Sequence, residues 1–140
     1  MSQTIDQQIA TFLESPAFGV VGASPRRDKY GNMVLRCYLQ AGREAIPVHP
    51  AQKEIEGLPC AASVNELPET VQSISVITPP SVTEKVVDAA IARGVIRNIW
   101  MQPGAESPEL MAYLEEMGYP YIQGCLLVGL SLFVETEEDR

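Results

Sequence analysis

The chain has 140 residues, 46% of them apolar and 20% charged, which suits one globular domain able to bury a core without metals or disulfides. Its 18 Asp and Glu against 10 Lys and Arg give a net charge of −8, which excludes general nucleic-acid binding, because neutralising phosphates takes an excess of cations. Three cysteines, Cys37, Cys60 and Cys125, are odd in number and far apart, so neither a disulfide framework nor a metal site is expected, and such thiols suit a reducing cytosol.

Thr4 to Leu13 reads as a helix. Ile5, Ile9, Phe12 and Leu13 recur at helical spacing, Thr4 and Gln7 form a capping box, and Ser15-Pro16 stops it. This helix is expected to cover a sheet edge or face. It lacks a signal-peptide pattern, and no later apolar run reaches the roughly 18 residues of a membrane span. Phe18 to Ala23 is small and apolar throughout, as in a strand buried on both faces. A helix follows from about Tyr30 to Ala41, with Val34, Leu35, Tyr38 and Leu39 turned inward and Gly42 as its stop.

The second strand is Glu44 to Val48, ending in His49-Pro50. Gly57 marks a turn, with a short third strand near Pro59 to Ala61, and Ser63 to Leu67 forms one helical turn. The fourth strand is Ile74 to Thr78, stopped by Pro79-Pro80. Ser81 caps the next helix with Glu84 three residues on; Val82, Val86, Ala89 and Ala90 face inward and Gly94 ends it. The fifth strand, Arg97 to Met101, runs into Gln102-Pro103-Gly104. Ser107 and Pro108 open the last long helix, with Leu110, Leu114 and Met117 inward and Gly118 as stop. Tyr121 to Gln123 is the sixth strand. Cys125 to Val134 packs as a last strand or short helix, and 135–140 is an acidic tail.

Strands alternating with helices of about 10–14 residues predict a single α/β domain over 1–140, a Rossmann-like, doubly wound, mainly parallel sheet in three layers. In such sheets ligands bind at the carboxyl ends of the strands, near the switch point. Four strand exits are chemically distinctive: Gly22-Ala23-Ser24, His49-Pro50, Pro79-Pro80 and Gln102-Pro103-Gly104. They should line one crevice. The first has small residues that let a ligand approach the backbone and leads into a helix N-terminus, where amides and the dipole attract anions. Three of the ten cations, Arg26, Arg27 and Lys29, crowd beside it. The stretch reads as a phosphate grip. NAD is disfavoured: G-x-G-x-x-G is absent, and strand two ends in His49 rather than an acid for ribose hydroxyls. A free 2′- or 3′-phosphate would find cations in Arg26, Arg27, Lys29 and Lys53.

Val21-Gly22-Ala23-Ser24-Pro25 with the basic loop and Gly31, Ala45-Ile46-Pro47-Val48-His49-Pro50 followed by Gly57, Pro79-Pro80, and Trp100-Met101-Gln102-Pro103-Gly104 together resemble the stand-alone CoA-binding proteins. These are similar to the first domain of the succinyl-CoA synthetase alpha subunit. The resemblance spans Phe18 to Cys125. It implies that the Gly22-Ala23-Ser24 backbone and the Ser24 hydroxyl meet the pyrophosphate, and that Arg26, Arg27 and Lys29 hold phosphates including the 3′-phosphate. Segments around Pro50 and Pro79-Pro80 would frame adenosine and pantetheine, with Gln102-Pro103-Gly104 at the thiol end. The chain departs from the family at His49, usually Asn; at Ala61-Ala62-Ser63, usually Tyr-Pro-Ser; and at Gln123-Gly124 before Cys125, usually Asp-Arg, with the family's following Glu-His pair missing.

Plainer readings stand beside these. The basic loop is also what a solvated loop looks like, Pro79-Pro80 a strand stop, and His49 and Cys125 a positional and a small buried side chain. No catalytic residue is assigned. The expectation is a cytosolic CoA or acyl-CoA binding module without catalysis of its own, since the synthetases carry their phosphohistidine in a second domain. The alternatives are an NADP- or nucleotide-dependent enzyme on the same fold, and a CoA ligase subunit completed by a partner chain. A homodimer is also open; no membrane partner is expected.

Overall fold

A computed structural model describes residues 4–127. A five-stranded parallel sheet is the centre of the molecule, built from β1 (Ala17–Val21), β2 (Glu44–Val48), β5 (Val71–Val76), β6 (Asn98–Met101) and β7 (Tyr121–Gln123) in the order β2-β1-β5-β6-β7. A two-stranded antiparallel hairpin, β3 (Glu54–Ile55) and β4 (Leu58–Pro59), hangs beyond β2. Glu56 and Gly57 both take positive φ at its tip, 52° and 79°, the two-residue turn whose twist matches the strands.

Alternation along each strand builds two cores. Ala17 and Val21 of β1, Ile74 and Val76 of β5, and Ile99 and Met101 of β6 face one side, against Val64, Leu67 and the helices α3 (Pro80–Arg93) and α4 (Pro108–Met117). Phe18, Val20 and Trp100 face the other side, against α1 (Ile5–Phe12) and α2 (Tyr30–Gln40). The result is three layers, as expected for a Rossmann-like sheet. The serines of β5 face the second core and are satisfied there: Ser73 donates to the Phe12 carbonyl at 2.8 Å, and Ser75 bonds the buried Tyr38 hydroxyl at 2.6 Å.

Helix α1 covers a sheet face, its Thr4–Gln7 capping box formed at both ends. Phe12 stacks on Phe18 at 5.6 Å between centroids and meets Trp100 edge-on at 5.3 Å. Ser107 caps α4 by accepting from the Leu110 amide, and Gly118 closes it in the left-handed conformation.

Several expectations are corrected. The strand expected at Ile74 to Thr78 is β5, which begins at Val71 and ends at Val76; Ile77 adds one last amide bond to the Val21 carbonyl and Thr78 lies beyond the strand. Helix α3 starts at Pro80 with Pro79 as its N-cap; Ser81 lies inside the first turn and caps nothing. Thr83, Val87 and Ala90 are its buried residues, whereas Val82 is exposed and Val86 and Ala89 are half-buried. Leu39 and Met117 were expected inside but are exposed, as is Ile5 of the α1 stripe. The third strand becomes the β3-β4 hairpin, with Ala61 making a single parallel bridge to Val48. Leu126 and Leu127 are helical; the rest of the expected element to Val134, and the acidic tail 135–140, lie outside the described residues.

Candidate functional site

Counting only strands of the main sheet, the order is 2-1-3-4-5, which places the topological switch point between β1 and β5. The chain leaves β1 at Gly22, whose φ is 94° and whose missing Cβ would lie 2.3 Å from the Ile77 carbonyl oxygen. Gly31, at the start of α2, is as tight: a Cβ there would lie 2.0 Å from the Gly22 carbonyl oxygen. These two glycines let α2 begin directly against the strand exit. The amides of Gly22, Ala23 and Ser24 donate to no acceptor among the described residues. Ser24 accepts from the Arg26 amide at 3.1 Å, which leaves its hydroxyl proton to donate.

The turn is braced from below by Asn32, fully buried on α2. Its Nδ2 donates to the Ser24 carbonyl at 2.9 Å and to Glu56 Oε2 at 3.2 Å, while its Oδ1 accepts from Arg36 Nε at 2.7 Å. The basic loop lies outside this brace. Arg26 pairs with Asp28 at 3.1 Å, Arg27 approaches Glu56 at 3.6 Å, and Lys29 is exposed at the helix N-cap.

Between the switch-point strands opens a crevice of about 490 Å³. Gly22 and Ala23 form its floor, His49 and Pro50 one rim, Ser63 to Asn65 another, and Pro79 the third. The far wall is α3, which presents Val82, Lys85, Val86 and Ala89. A second hollow of about 390 Å³ shares Ile77, Thr78 and Pro79 with the first and continues to Pro80, Gln102, Pro103 and Gly104. All four strand exits therefore meet along one trough. Ser24, Arg26, Arg27 and Lys29 line neither hollow and stand on the turn beside it.

Two side chains singled out by sequence are engaged with the backbone. His49 Nδ1 accepts from the amides of Ala51 and Gln52, both at 3.0 Å, which fixes the proton on Nε2 and caps the loop as an Asn side chain would. Gln102 is 5% exposed. Its Oε1 accepts from the Leu126 amide at 3.0 Å and its Nε2 reaches Cys125 Sγ at 3.2 Å, so it straps the β6 exit to the segment after β7. Burial raises the Cys37 thiol above its usual range, with a smaller contribution from Cys125, and burial raises Cys60 too. Among the described residues no cluster of His, Cys, Asp and Glu could hold a metal ion, and no helix is long and apolar enough to cross a membrane.

Sequence reasoning missed the α3 wall, with Lys85, and the brace at Asn32. Signals for both are present: α3 carries two apolar stripes where one suffices for a core, and Asn32 is polar on an otherwise apolar face of α2.

Comparison with known proteins adds identity to this geometry. A family described as a CoA binding domain matches residues 17–131. Uncharacterized protein YneT of Bacillus subtilis is 30% identical over 122 residues, covering 82% of this chain and 85% of that protein. An ADP-forming acetate–CoA ligase of Archaeoglobus fulgidus is also 30% identical, over 115 residues; the match takes in 79% of this chain but spans only 16% of the ligase. A conserved hypothetical protein from Pyrococcus furiosus superposes with a TM-score of 0.76 at 43% identity, over 81% of this chain and 97% of that one.

Proposed function

Because this chain belongs to the CoA-binding domain family, we propose that it binds coenzyme A, free or acylated, in the trough at the switch point. One observation carries the reading: the family match falls on a chain whose four strand exits meet along a single trough. The diphosphate rests on the amides of Gly22 to Ser24 and the Ser24 hydroxyl, at the positive end of the α2 dipole. Adenosine fills the larger hollow among Val21, Val48 and the apolar face of α3. Pantetheine runs past Pro79 and Pro80 toward Pro103 and Gly104. Arg26, Arg27 and Lys29 add positive potential at the mouth, the paired arginines contributing least.

The chain holds its ligand without transforming it. His49 spends its Nδ1 on two backbone amides and Gln102 is tied to the 125–126 segment, and these engagements support a binding role for both. Thermal unfolding with CoA, NADP and ATP tests the reading. CoA at about a hundredfold its Kd stabilises by about 2.7 kcal/mol and gives the largest rise in Tm. An equal or larger rise with NADP overturns it. Ser24→Asp, which sets a carboxylate against the diphosphate, should abolish the CoA response; a retained response moves the diphosphate off this turn.

The match to a ligase of which this chain spans 16% favours a second reading, in which the chain supplies the CoA site of a ligase completed by another chain. Co-purification of a partner with nucleotide-grasp features supports it.

A further inference from the structure

Coenzyme A carries two separate anionic groups, a diphosphate and a phosphomonoester on the adenosine ribose. The amides of the Gly22 turn supply one anion site. The second group, with a charge of about −1.5 to −2, needs a cation of its own. Arg26 and Arg27 are paired with Asp28 and Glu56, and they, Lys29 and Lys53 line neither hollow of the trough. Lys85 differs from the two arginines in being unpaired, and from all four in where it stands. It is the one Lys, Arg, Asp or Glu among the residues lining the larger hollow, and it forms no ion pair among the described residues. It rises from an apolar stripe, with Val82, Val86 and Ala89 around its stem. Lys85 is exposed on that wall, so its flexible stem can bring the ammonium to a phosphate lodged in the hollow. Ser63 and Asn65, on the neighbouring rim, add hydroxyl and amide groups.

Resting on the CoA reading above, we infer that Lys85 holds the 3′-phosphate of coenzyme A and sets the preference of this crevice for CoA over dephospho-CoA. The ammonium acts as a point charge rather than a fork, so it grips the phosphate without dictating its rotation. The loop cations that crowd the sequence beside the Gly22 turn are then bystanders to this group.

Titration calorimetry of the full chain, wild type and Lys85→Met, with CoA and with dephospho-CoA tests the inference. Met keeps the apolar stem and removes the charge, and an exposed helical position tolerates it, so an unchanged Tm confirms that both proteins are folded. Wild type should bind CoA about tenfold more tightly than dephospho-CoA, the worth of one charge-assisted contact. Lys85→Met should lose about tenfold for CoA and stay within about twofold for dephospho-CoA. Equal losses for the two ligands overturn the inference, because the ammonium then serves the adenine or the diphosphate. An unchanged CoA affinity in Lys85→Met overturns it as well. Should wild type bind neither ligand, the CoA reading itself falls, and the inference with it.

Discussion

At the scale of single residues, the site rests on two hydrogens that stand where side chains would otherwise be. Gly31 has ordinary helical backbone, so by intrinsic propensity an alanine there should stabilise α2 by up to about 1 kcal/mol. Contact reverses that sign. The added methyl would meet the Gly22 carbonyl oxygen at 2.0 Å, and that atom belongs to backbone held in the sheet. Gly31→Ala should therefore cost about 2–3 kcal/mol, the range of overpacking, and should lower the urea midpoint while weakening CoA binding. A raised midpoint would show that the helix can slide off the turn. His49 teaches a related lesson. As a lone histidine at a strand exit it invites a catalytic story, yet its ring nitrogen accepts two backbone amides and caps the loop locally.

At the scale of elements, α3 is the instructive case. Its buried residues Thr83, Val87 and Ala90 and its crevice residues Val82, Val86 and Ala89 are offset by one position, about 100° of turn. Hydrophobic periodicity shows that both stripes exist, but only packing against the sheet decides which faces the core. That is why the sequence reading mixed the two, taking Val82, Val86 and Ala89 together with the core residue Ala90. The two stripes should separate by experiment. Val87→Ala, in the core, should cost about 2 kcal/mol of stability and leave CoA affinity nearly unchanged. Val86→Ala should cost much less stability but weaken CoA binding, because it removes part of the crevice wall. Equal effects on both readouts would mean that the stripes share one role. The boundary error at β5 has a similar origin. Pro79-Pro80 reads as a strand stop, but the same pair serves as N-cap and first turn of α3, so the strand ends earlier and Ile77 and Thr78 are left to line the trough.

At the scale of the molecule, the order of layers, the parallel sheet and the convergence of four strand exits were legible, because each depends on local pattern and on a connection rule that parallel sheets obey. The cation in the crevice was not, because charge crowding in sequence pointed to the exposed Arg26 to Lys29 loop, whose arginines are largely self-neutralised. The fold also carries a pH signature away from the site. Burial holds Tyr119, bonded to the Ile96 carbonyl, up to about 12. A hydrogen bond to Glu115, and then burial, does the same for Tyr121. Both ordinarily ionise near 10. The native state thus keeps protons that the unfolded chain releases, so this stability is complete below about pH 10 and is lost as pH rises toward about 12. Urea midpoints should fall across that window, together with late phenolate absorbance from these two rings. A flat profile would detach them from the stability of the α4–β7 side.

The two margins of the sheet are finished differently. Beyond β2, Ala61 pairs with the backbone around Val48, and Pro47 lacks the amide that a docking ribbon would seek. At the other margin β7 offers three residues and nothing longer. Among the described residues neither border gives a foreign strand much hydrogen-bonding length to extend the sheet. A trough that opens at one end of the sheet is thus combined, among the described residues, with flanks that offer little length for edge-to-edge pairing.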